Sequence, residues 1–363
     1  MLQYHQRLPG DPLPHVTQRT AGKERFNLGA AAGRYIVICL LGPSANPALP
    51  GVLLAAARRD VFNDSLASLF LVSTDPEPTS LPQERRGFRV FLDHDLKVSR
   101  ALGAAPFNSE AATPYRPLWI IADPMLRIIE TLPAGVHDTQ AVLDRIERLP
   151  PPERATGIAL QAPVLYLPRV FEPELCAELI DRYEAAGGEI SGFMREVDGK
   201  TVGLHDPNFK SRRDHIVTDP GLIEHIQGRI VRRVVPEIQR AHAFHPTRME
   251  RYIVSCYRAD EGGHFAAHRD NTTPGTAHRR FAVSINLNDA FEGGEVSFPE
   301  FGPQGFRAPP GGAVVFSCSL LHRVSAVTSG ARYAFLPFLY DDAAAALRQK
   351  NLHTVTSDTE AAQ

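Results

Sequence analysis

Apolar and polar positions in the first part of the chain predict strands that alternate with helices. The run Arg34–Leu41 (RYIVICLL) is rich in β-branched residues and almost wholly apolar, which is typical of a strand buried on both faces of a sheet. A predicted helix over Pro50–Asn63 and a second apolar run at Leu69–Ser73 complete a β-α-β unit. The later predicted elements are a strand at Phe88–Leu92, one or two helical turns at Leu96–Gly103, two strands within Leu118–Ile129 and a helix at Thr139–Leu149. This order predicts a small α/β domain of about 150 residues.

The pattern changes after the proline-rich stretch Leu149–Pro152 (LPPP), which is typical of a stiff linker. Apolar residues at helical spacing predict helices over Glu172–Ala186 and Pro220–Ala241. Short β-rich segments separated by Gly, Pro and Asn follow at Met249–Cys256, Phe281–Leu287, Glu295–Phe298, Ala313–Phe316 and Tyr333–Tyr340. We therefore predict an α+β second domain with a double-stranded β-helix (jelly-roll) core. The predicted domains span 1–150 and 156–342, and a tail at 343–363 is expected to be weakly helical and then disordered.

Composition narrows the possible functions. The 363 residues exceed the size at which one hydrophobic core stops growing, so two domains are expected. With 39 basic and 41 acidic residues there is no cationic field for non-specific nucleic-acid binding. The start of the chain lacks an apolar leader segment, and no uncharged apolar run approaches about 18 residues, so no membrane association is expected. Four cysteines without a C-x-x-C pair suit a reducing cytoplasm rather than a disulfide framework or a zinc site.

A metal-ligand pattern stands in the second half of the chain. His268 and Asp270 lie two residues apart in a predicted strand, so their side chains point to the same face, and His322 follows 54 residues later. Two imidazoles and one carboxylate leave about three coordination positions open, which favours a non-haem Fe(II) oxygenase site over a closed zinc site. Arg332, in a strand-turn-strand stretch after His322, could return its guanidinium to the same cavity and bind the distal end of a dicarboxylate.

The first domain resembles the peroxiredoxins of the thioredoxin fold. The resemblance rests on GDPLP at Gly10–Pro14, FNL at Phe26–Leu28, AGR at Ala32–Arg34, and YRP at Tyr115–Pro117 followed by LWIIADP. A peroxidatic cysteine would lie in the first turn of the helix after RYIVICLL, where the helix N-terminus stabilises a thiolate, but the chain has GPSANPALPG there. Cys39 lies within the apolar strand and is expected to be a buried, inert thiol. We therefore expect an α/β thioredoxin-like domain that is non-catalytic.

The second domain resembles the 2-oxoglutarate- and Fe(II)-dependent dioxygenases, close to their prolyl 4-hydroxylase branch. The motifs CYRADEGGHFAAHRDN, FAVSINLNDAFEGGEVSF and APPGGAVVFSCSLLHRVSAVTSGARYAFLPFLY occur in family order within about residues 163–342. The resemblance implies that His268, Asp270 and His322 bind iron and that Arg332 binds the C5 carboxylate of the cosubstrate 2-oxoglutarate.

Two further cosubstrate residues follow from the same resemblance. Tyr257 matches a family tyrosine that lines the cosubstrate pocket, although its interval to His268 is about two residues longer than in close relatives. Asn286 stands near the position of a tyrosine that in some relatives also reaches the C5 carboxylate. Relatives that halogenate replace the carboxylate ligand with a small residue, so the retained Asp270 implies hydroxylation.

The resemblance implies hydroxylation of a protein or peptide side chain, with a prolyl residue among the candidates, and release of succinate and CO2. Fe(II), 2-oxoglutarate and O2 are implied, with ascorbate as a candidate reductant. The same chemistry on a free amino acid or small metabolite, a non-catalytic sensor of iron or 2-oxoglutarate, and peroxide reduction are the alternatives, the last disfavoured by the missing cysteine. The substrate and the oligomeric state stay open. Substrate contacts are expected from the Gly-rich stretch Gly192–Gly203 and from Arg212, Arg213 and Arg280, although a solvated basic turn explains the first two arginines equally well.

Overall fold

The computed structural model describes residues 1–23, 25–76, 81–109, 114–197 and 199–355. It is a mixed α/β structure that divides into two compact units. The first unit comprises Met1–Gln161 together with Pro299–Pro303, and the second comprises the rest of the described chain. Residues 356–363, the end of the predicted tail, lie outside the described residues. No helix in the described ranges is long and apolar enough to span a membrane.

The first unit is built on a five-stranded sheet. Its elements are β1 (Thr17–Gln18), β2 (Phe26–Asn27), β3 (Tyr35–Gly42), α1 (Leu49–Ala57), β4 (Ala67–Ser73), β5 (Phe88–Leu92), α2 (Lys97–Leu102), β6 (Leu118–Ala122), β7 (Ile128–Pro133) and α3 (Asp138–Glu147). The strand order is β5-β4-β3-β6-β7, in which β3, β4 and β5 run parallel and β6 and β7 pair antiparallel. The predicted β-α-β unit and strand pair are therefore confirmed.

Every residue of β3 is buried because both faces of the sheet are covered. Alternate β3 residues pack with α1 and α3 on one face, and the others pack with α2 on the opposite face. Cys39 lies in the middle of this strand, and burial raises the pKa of its thiol far above the ordinary value. This confirms the expected buried thiol.

In the described residues, the second unit consists of two large antiparallel sheets, a separate two-stranded hairpin and four α-helices. Its elements are β8 (Leu165–Leu167), α4 (Pro173–Ala186), β9 (Glu189–Ile190), β10 (Phe193–Val197), β11 (Lys200–Leu204), β12 (Lys210–Ser211), β13 (Arg213–Ile216), α5 (Pro220–Arg233), α6 (Val235–His242), β14 (Arg248–Glu250), β15 (Ile253–Arg258), β16 (His264–His268), β17 (Phe281–Asn286), β18 (Phe291–Gly293), β19 (Val296–Ser297), β20 (Gly305–Phe306), β21 (Ala313–Ser317), β22 (His322–Val324), β23 (Val327–Phe335), β24 (Phe338–Tyr340) and α7 (Asp342–Asn351).

The larger sheet runs β14-β24-β17-β23-β15-β13-β9, with β18, β21 and β8 paired to its members, and the smaller sheet runs β12-β16-β22-β19-β20. Helices α4, α5 and α6 pack on one face of the larger sheet. Since side chains alternate along a strand, Val254 and Cys256 of β15 join this core, whereas Ser255 and Tyr257 point to the other face. That other face forms the site described below.

Three sequence predictions need correction in detail. The helix predicted over Pro220–Ala241 is two helices that meet at Val234, because Pro236 has no N–H to continue the first one. The strand predicted at Met249–Cys256 is broken at Arg251, whose φ of 65° lies in the left-handed region. The Gly-rich stretch Gly192–Gly203, whose composition predicts a loop, contains instead the β10–β11 hairpin, of which residue 198 is outside the described residues.

Candidate metal centre

Three ligand-type side chains converge at one end of the smaller sheet. His268 ends β16 and His322 begins β22, and the two are direct cross-strand partners. Asp270 lies just beyond the end of β16, where its backbone N–H donates to the carbonyl of Cys318 at 3.0 Å. Its carboxylate oxygens lie 3.5 Å from His268 Nε2 and 3.4 Å from His322 Nε2. One ligand atom from each of the three residues lies within 4.8 Å of the others, which is compatible with a shared cation.

Both imidazoles are held with Nε2 turned toward Asp270. His268 Nδ1 lies 2.7 Å from the carbonyl of Ala266, and His322 Nδ1 lies 3.0 Å from the carbonyl of Leu320. Because a carbonyl only accepts, each Nδ1 must carry the proton, which leaves the Nε2 lone pair available to a metal. The ring of Phe265 stacks on His268 with 3.6 Å between centroids and fixes its plane. The structure therefore orients the ligands through backbone and aromatic contacts.

The protonation states suit metal binding. Burial, reinforced by the neighbouring His268, lowers the pKa of His322 to about 4, so this imidazole is neutral at pH 7. Burial by itself would raise the pKa of Asp270, but the two histidines outweigh it and hold this pKa below its usual range. At neutral pH the centre thus presents a carboxylate and a neutral His322 imidazole, the forms in which these side chains bind metals.

The triad opens into a cavity between the two sheets of the second unit, with about 520 Å³ of empty space including its open side. Arg332 lies inside it and is 2% exposed. Its Nε donates to Asn286 Oδ1 at 2.9 Å and its Nη2 to Ser284 Oγ at 2.8 Å, whereas its buried Nη1 has no partner. Both acceptors are neutral, and no carboxylate of the described residues pairs with Arg332. The cavity therefore contains a buried cation without a counter-ion.

Tyr257 stands between two of the cavity's arginines. Its buried ring lies 5.3 Å from the guanidinium of Arg332 and 5.7 Å from that of Arg212. The Arg212 Nη1 donates to the Tyr257 hydroxyl at 3.3 Å, and its Nη2 donates to Asp214 at 2.6 Å. Arg212 is 6% exposed because the chain passes here from β12 in one sheet to β13 in the other. Burial excludes the interpretation of Arg212 as part of a solvated turn.

The other two arginines predicted to bind substrate lie elsewhere. Arg213 pairs with Glu261 at 2.9 Å, and Arg280 donates to the carbonyl of Ala277 at 2.8 Å. Neither lines the cavity, whereas Arg251, which the sequence analysis did not single out, does. The sequence gives no signal for it, because the apolar pattern predicts one unbroken strand from Met249 to Cys256, and only the structure breaks that strand between Glu250 and Ile253. Ser284 was also missed, although it shares a face of β17 with Asn286.

A buried lysine lies behind the aromatic wall of the centre. Lys210 is enclosed and donates to Ser191 Oγ at 2.7 Å and to the carbonyl of Gly192 at 2.5 Å. Its ammonium lies 5.0 Å from the centroid of the Phe265 ring. Burial, with a further contribution from Arg212, lowers the pKa of Lys210 to about 5, so its side chain is neutral at pH 7.

Comparisons with known proteins place these residues in a family context. Residues 252–340 match the sequence model of the 2OG-Fe(II) oxygenase superfamily, and this span contains the three ligand-type residues and Arg332. A PKHD-type hydroxylase of Bordetella pertussis is 31% identical over 173 residues, covering 45% of this chain and 72% of that protein. Another from Pseudomonas putida strain W619 is 24% identical over 180 residues, covering 47% and 75%. A solved prolyl-4-hydroxylase structure from Pseudomonas putida is 13% identical with a TM-score of 0.38, covering 52% of this chain and 95% of that one.

Proposed function

This chain belongs to the 2OG-Fe(II) oxygenase superfamily as a 2-oxoglutarate-dependent hydroxylase, and from that premise we propose that it hydroxylates a side chain of a protein or peptide. The residues of the metal centre fit Fe(II): two imidazoles and one carboxylate, with positions left open for other ligands. His268 Nε2, His322 Nε2 and an Asp270 oxygen would hold it. Together with 2-oxoglutarate and O2, the bound iron supplies the oxidation that hydroxylates a C–H bond and releases succinate and CO2.

The observation that carries this proposal is the uncompensated charge of Arg332 in the cavity of the metal centre. Asn286 and Ser284 fix the guanidinium plane but leave Nη1 without a partner. A carboxylate bound there would form charge-assisted hydrogen bonds and neutralise the buried cation. We assign Arg332 to binding the C5 carboxylate of 2-oxoglutarate. Asn286 holds the Arg332 guanidinium in place instead of binding the cosubstrate itself, and Tyr257 forms the cavity wall beside it.

The apolar part of the cavity lining supports a peptide with an apolar target residue, such as proline. Phe193 of the β10–β11 hairpin packs on Phe209 with 4.5 Å between centroids, and Phe209 packs on Phe265 at 5.7 Å. Phe265 in turn stacks on His268, so ring contacts are continuous from the hairpin to the triad. Of these rings Phe265 lines the cavity, together with Phe316, and this apolar lining excludes water from the reacting C–H bond and packs on an apolar side chain. A free amino acid or small metabolite is the second candidate, favoured by the arginines that line the cavity.

We propose that the second unit has the double-stranded β-helix core and the first unit a non-catalytic thioredoxin-like fold, within the predicted extents 156–342 and 1–150. Parallel β3, β4 and β5, antiparallel β6 and β7, and helices on both faces support the latter. The buried Cys39 and the absence of cysteine in the first turn of α1 support a role other than peroxide reduction.

Succinate release is the test of the proposed function. Purified protein with Fe(II), 2-oxoglutarate and ascorbate is supplied with proline-containing peptides or with free amino acids, and succinate is quantified together with the mass of the peptide. A gain of one oxygen atom on a peptide, absent for Asp270→Ala, supports the proposal. Turnover with free amino acids alone would instead support the second candidate, and omission of ascorbate tests its role as reductant.

A further inference from the structure

The cavity contains more positive charge than its own acidic groups and a bound 2-oxoglutarate would neutralise. Besides Arg332, the side chains of Arg212 and Arg251 line the same cavity. Both share a single acid: Asp214 Oδ2 accepts from Arg212 Nη2 at 2.6 Å and from Arg251 Nη2 at 3.3 Å. Burial would raise the pKa of Asp214, but the positive charges of Arg212 and Arg251 outweigh it and keep this pKa below its usual range. Asp214 is thus an ionised carboxylate that can neutralise one of the two arginines.

A comparison of positive and negative charges around the cavity shows which cation lacks a counter-ion. Iron and Arg332 together carry three positive charges, which the 2-oxoglutarate dianion and Asp270 match. The nearby Arg279 is matched by Glu250 at 2.8 Å, and the neutral form of Lys210 adds nothing at pH 7. After Asp214 is counted against Arg212, the charge of Arg251 remains. Burial and the neighbouring charges of Arg212 and Arg279 lower its pKa to about 10, so it stays protonated at neutral pH.

Arg251 is also placed as a ligand-binding side chain would be. It is the most accessible of the three cavity arginines: 32% of its side chain is exposed against 5% for the Arg212 side chain, and Arg332 as a whole residue is 2% exposed. Its φ of 65° is an unfavourable backbone conformation for a residue with a Cβ, and it lies in the short segment that separates β14 from β15. Such strain concentrates at functional sites. Its longer contact with Asp214 and its 5.7 Å distance to the Phe338 ring leave further N–H groups available.

We propose that the hydroxylated substrate carries a carboxylate and that Arg251 binds it at the open side of the cavity. The inference rests on the proposed function and makes Arg251 a specificity-determining residue for the substrate, distinct from Arg332, which serves the cosubstrate. The carboxylate has two chemical sources: an acidic side chain next to the target residue of a peptide, or the terminal α-carboxylate of a peptide or amino acid. Both present two oxygens to a planar guanidinium.

Calorimetric titration of the full chain tests this inference without turnover. Protein loaded with Mn(II) and saturating 2-oxoglutarate under anaerobic conditions is titrated with acetate and with the neutral analogue acetamide. Arg251→Asn is the test variant because asparagine tolerates the left-handed backbone. Arg213→Asn is the control, since it removes an equal charge from the neighbouring surface pair with Glu261.

We expect acetate to bind wild type and Arg213→Asn with the same affinity. Its affinity for Arg251→Asn should be at least about tenfold weaker, and Arg251→Lys should retain most of the wild-type affinity. Acetamide should not discriminate among them. Equal acetate affinity in wild type and Arg251→Asn, or no acetate binding in wild type up to about 0.2 M, would overturn the inference. The affinity of Arg251→Asn for 2-oxoglutarate is measured as well and should equal that of wild type. If 2-oxoglutarate binds normally but acetate binding does not depend on Arg251, the inference about Arg251 fails while the proposed function stands.

Two peptide pairs identify the source of the carboxylate in the same titration. One pair compares acetyl-Asp-Pro-Gly-amide with acetyl-Asn-Pro-Gly-amide, and the other compares acetyl-Gly-Pro with its C-terminal amide. Tighter binding of the acid in either pair, abolished in Arg251→Asn, supports the inference and names the source. Indifference to charge in both pairs counts against it.

Discussion

Asn286→Asp tests how the cavity attracts 2-oxoglutarate. In the wild type the Arg332 guanidinium is satisfied by neutral acceptors and keeps its charge for an incoming ligand. The substitution places a carboxylate where the Asn286 amide oxygen lies 2.9 Å from Nε. Because Arg332 is 2% exposed, solvent screens this new pair little. The internal carboxylate then competes with the C5 carboxylate of the cosubstrate.

The magnitude follows from the strength of one charged contact. A hydrogen bond to a charged group contributes about 1.5–3 kcal/mol, and each 1.4 kcal/mol corresponds to a tenfold change in affinity. We therefore expect 2-oxoglutarate to bind Asn286→Asp about 10–100-fold more weakly than wild type. Affinity for the metal should hardly change, because the Asn286 side chain forms hydrogen bonds with Ala308 and Arg332 and with none of the three metal-centre side chains.

Anaerobic calorimetry of the Mn(II)-loaded protein measures this affinity directly. Asn288→Asp is a matched control because Asn288 also donates to a carbonyl, that of Ala331 at 2.8 Å, as Asn286 donates to Ala308 at 2.7 Å. Asn288 accepts from a backbone N–H and does not line the cavity. A cosubstrate affinity within about twofold of wild type, or an equal loss in the control, would refute the reasoning.

Three further outcomes are expected. In calorimetry, Asp270→Ala should weaken Mn(II) binding at least about 100-fold. The control Asp260→Ala breaks only an exposed pair with Arg258 and should leave Mn(II) binding unchanged. Equal losses in both variants would contradict the assignment of Asp270 as a metal ligand. Because the folded pKa of Lys210 is depressed to about 5, the unfolded chain binds one more proton between that pH and about 10.4, so stability rises with pH. Urea unfolding should show wild type gaining about 1.4 kcal/mol per pH unit relative to Lys210→Met from pH 6 to 9, and a pH-independent difference would disprove it. The four buried cysteines should react with a thiol reagent only after denaturation, and labelling of native Cys39 would contradict its inert role.

Local pattern was sufficient for the framework of both units. The run Arg34–Leu41 is apolar because both faces of β3 are covered, and Phe88–Leu92 matches β5 residue for residue. The ligand pattern was equally visible, since His268 and His322 needed only two strands to bring them together. Strand alternation does not position Asp270, which lies past the end of β16 and is held by its backbone hydrogen bond to Cys318.

What sequence could not supply depends on contacts between distant segments. Lys210 and Arg212 have the composition of a solvated turn, yet the crossing from one sheet to the other buries both. The role of Asn286 depends on its contact with Arg332, 46 residues further along the chain, which has no acidic partner among the described residues. Charge compensation is a property of a three-dimensional neighbourhood, so no spacing rule along the chain predicts it.

The pairing of His268 with His322 across a β-ladder has a consequence for how this protein can diversify. The distance between those two side chains is set by their direct pairing across the ladder, next to an irregularity between Phe265 and His268. Segments at the rim, including the kink at Arg251 and the β10–β11 hairpin, can therefore acquire substitutions that retarget the enzyme while the oxidising chemistry is preserved.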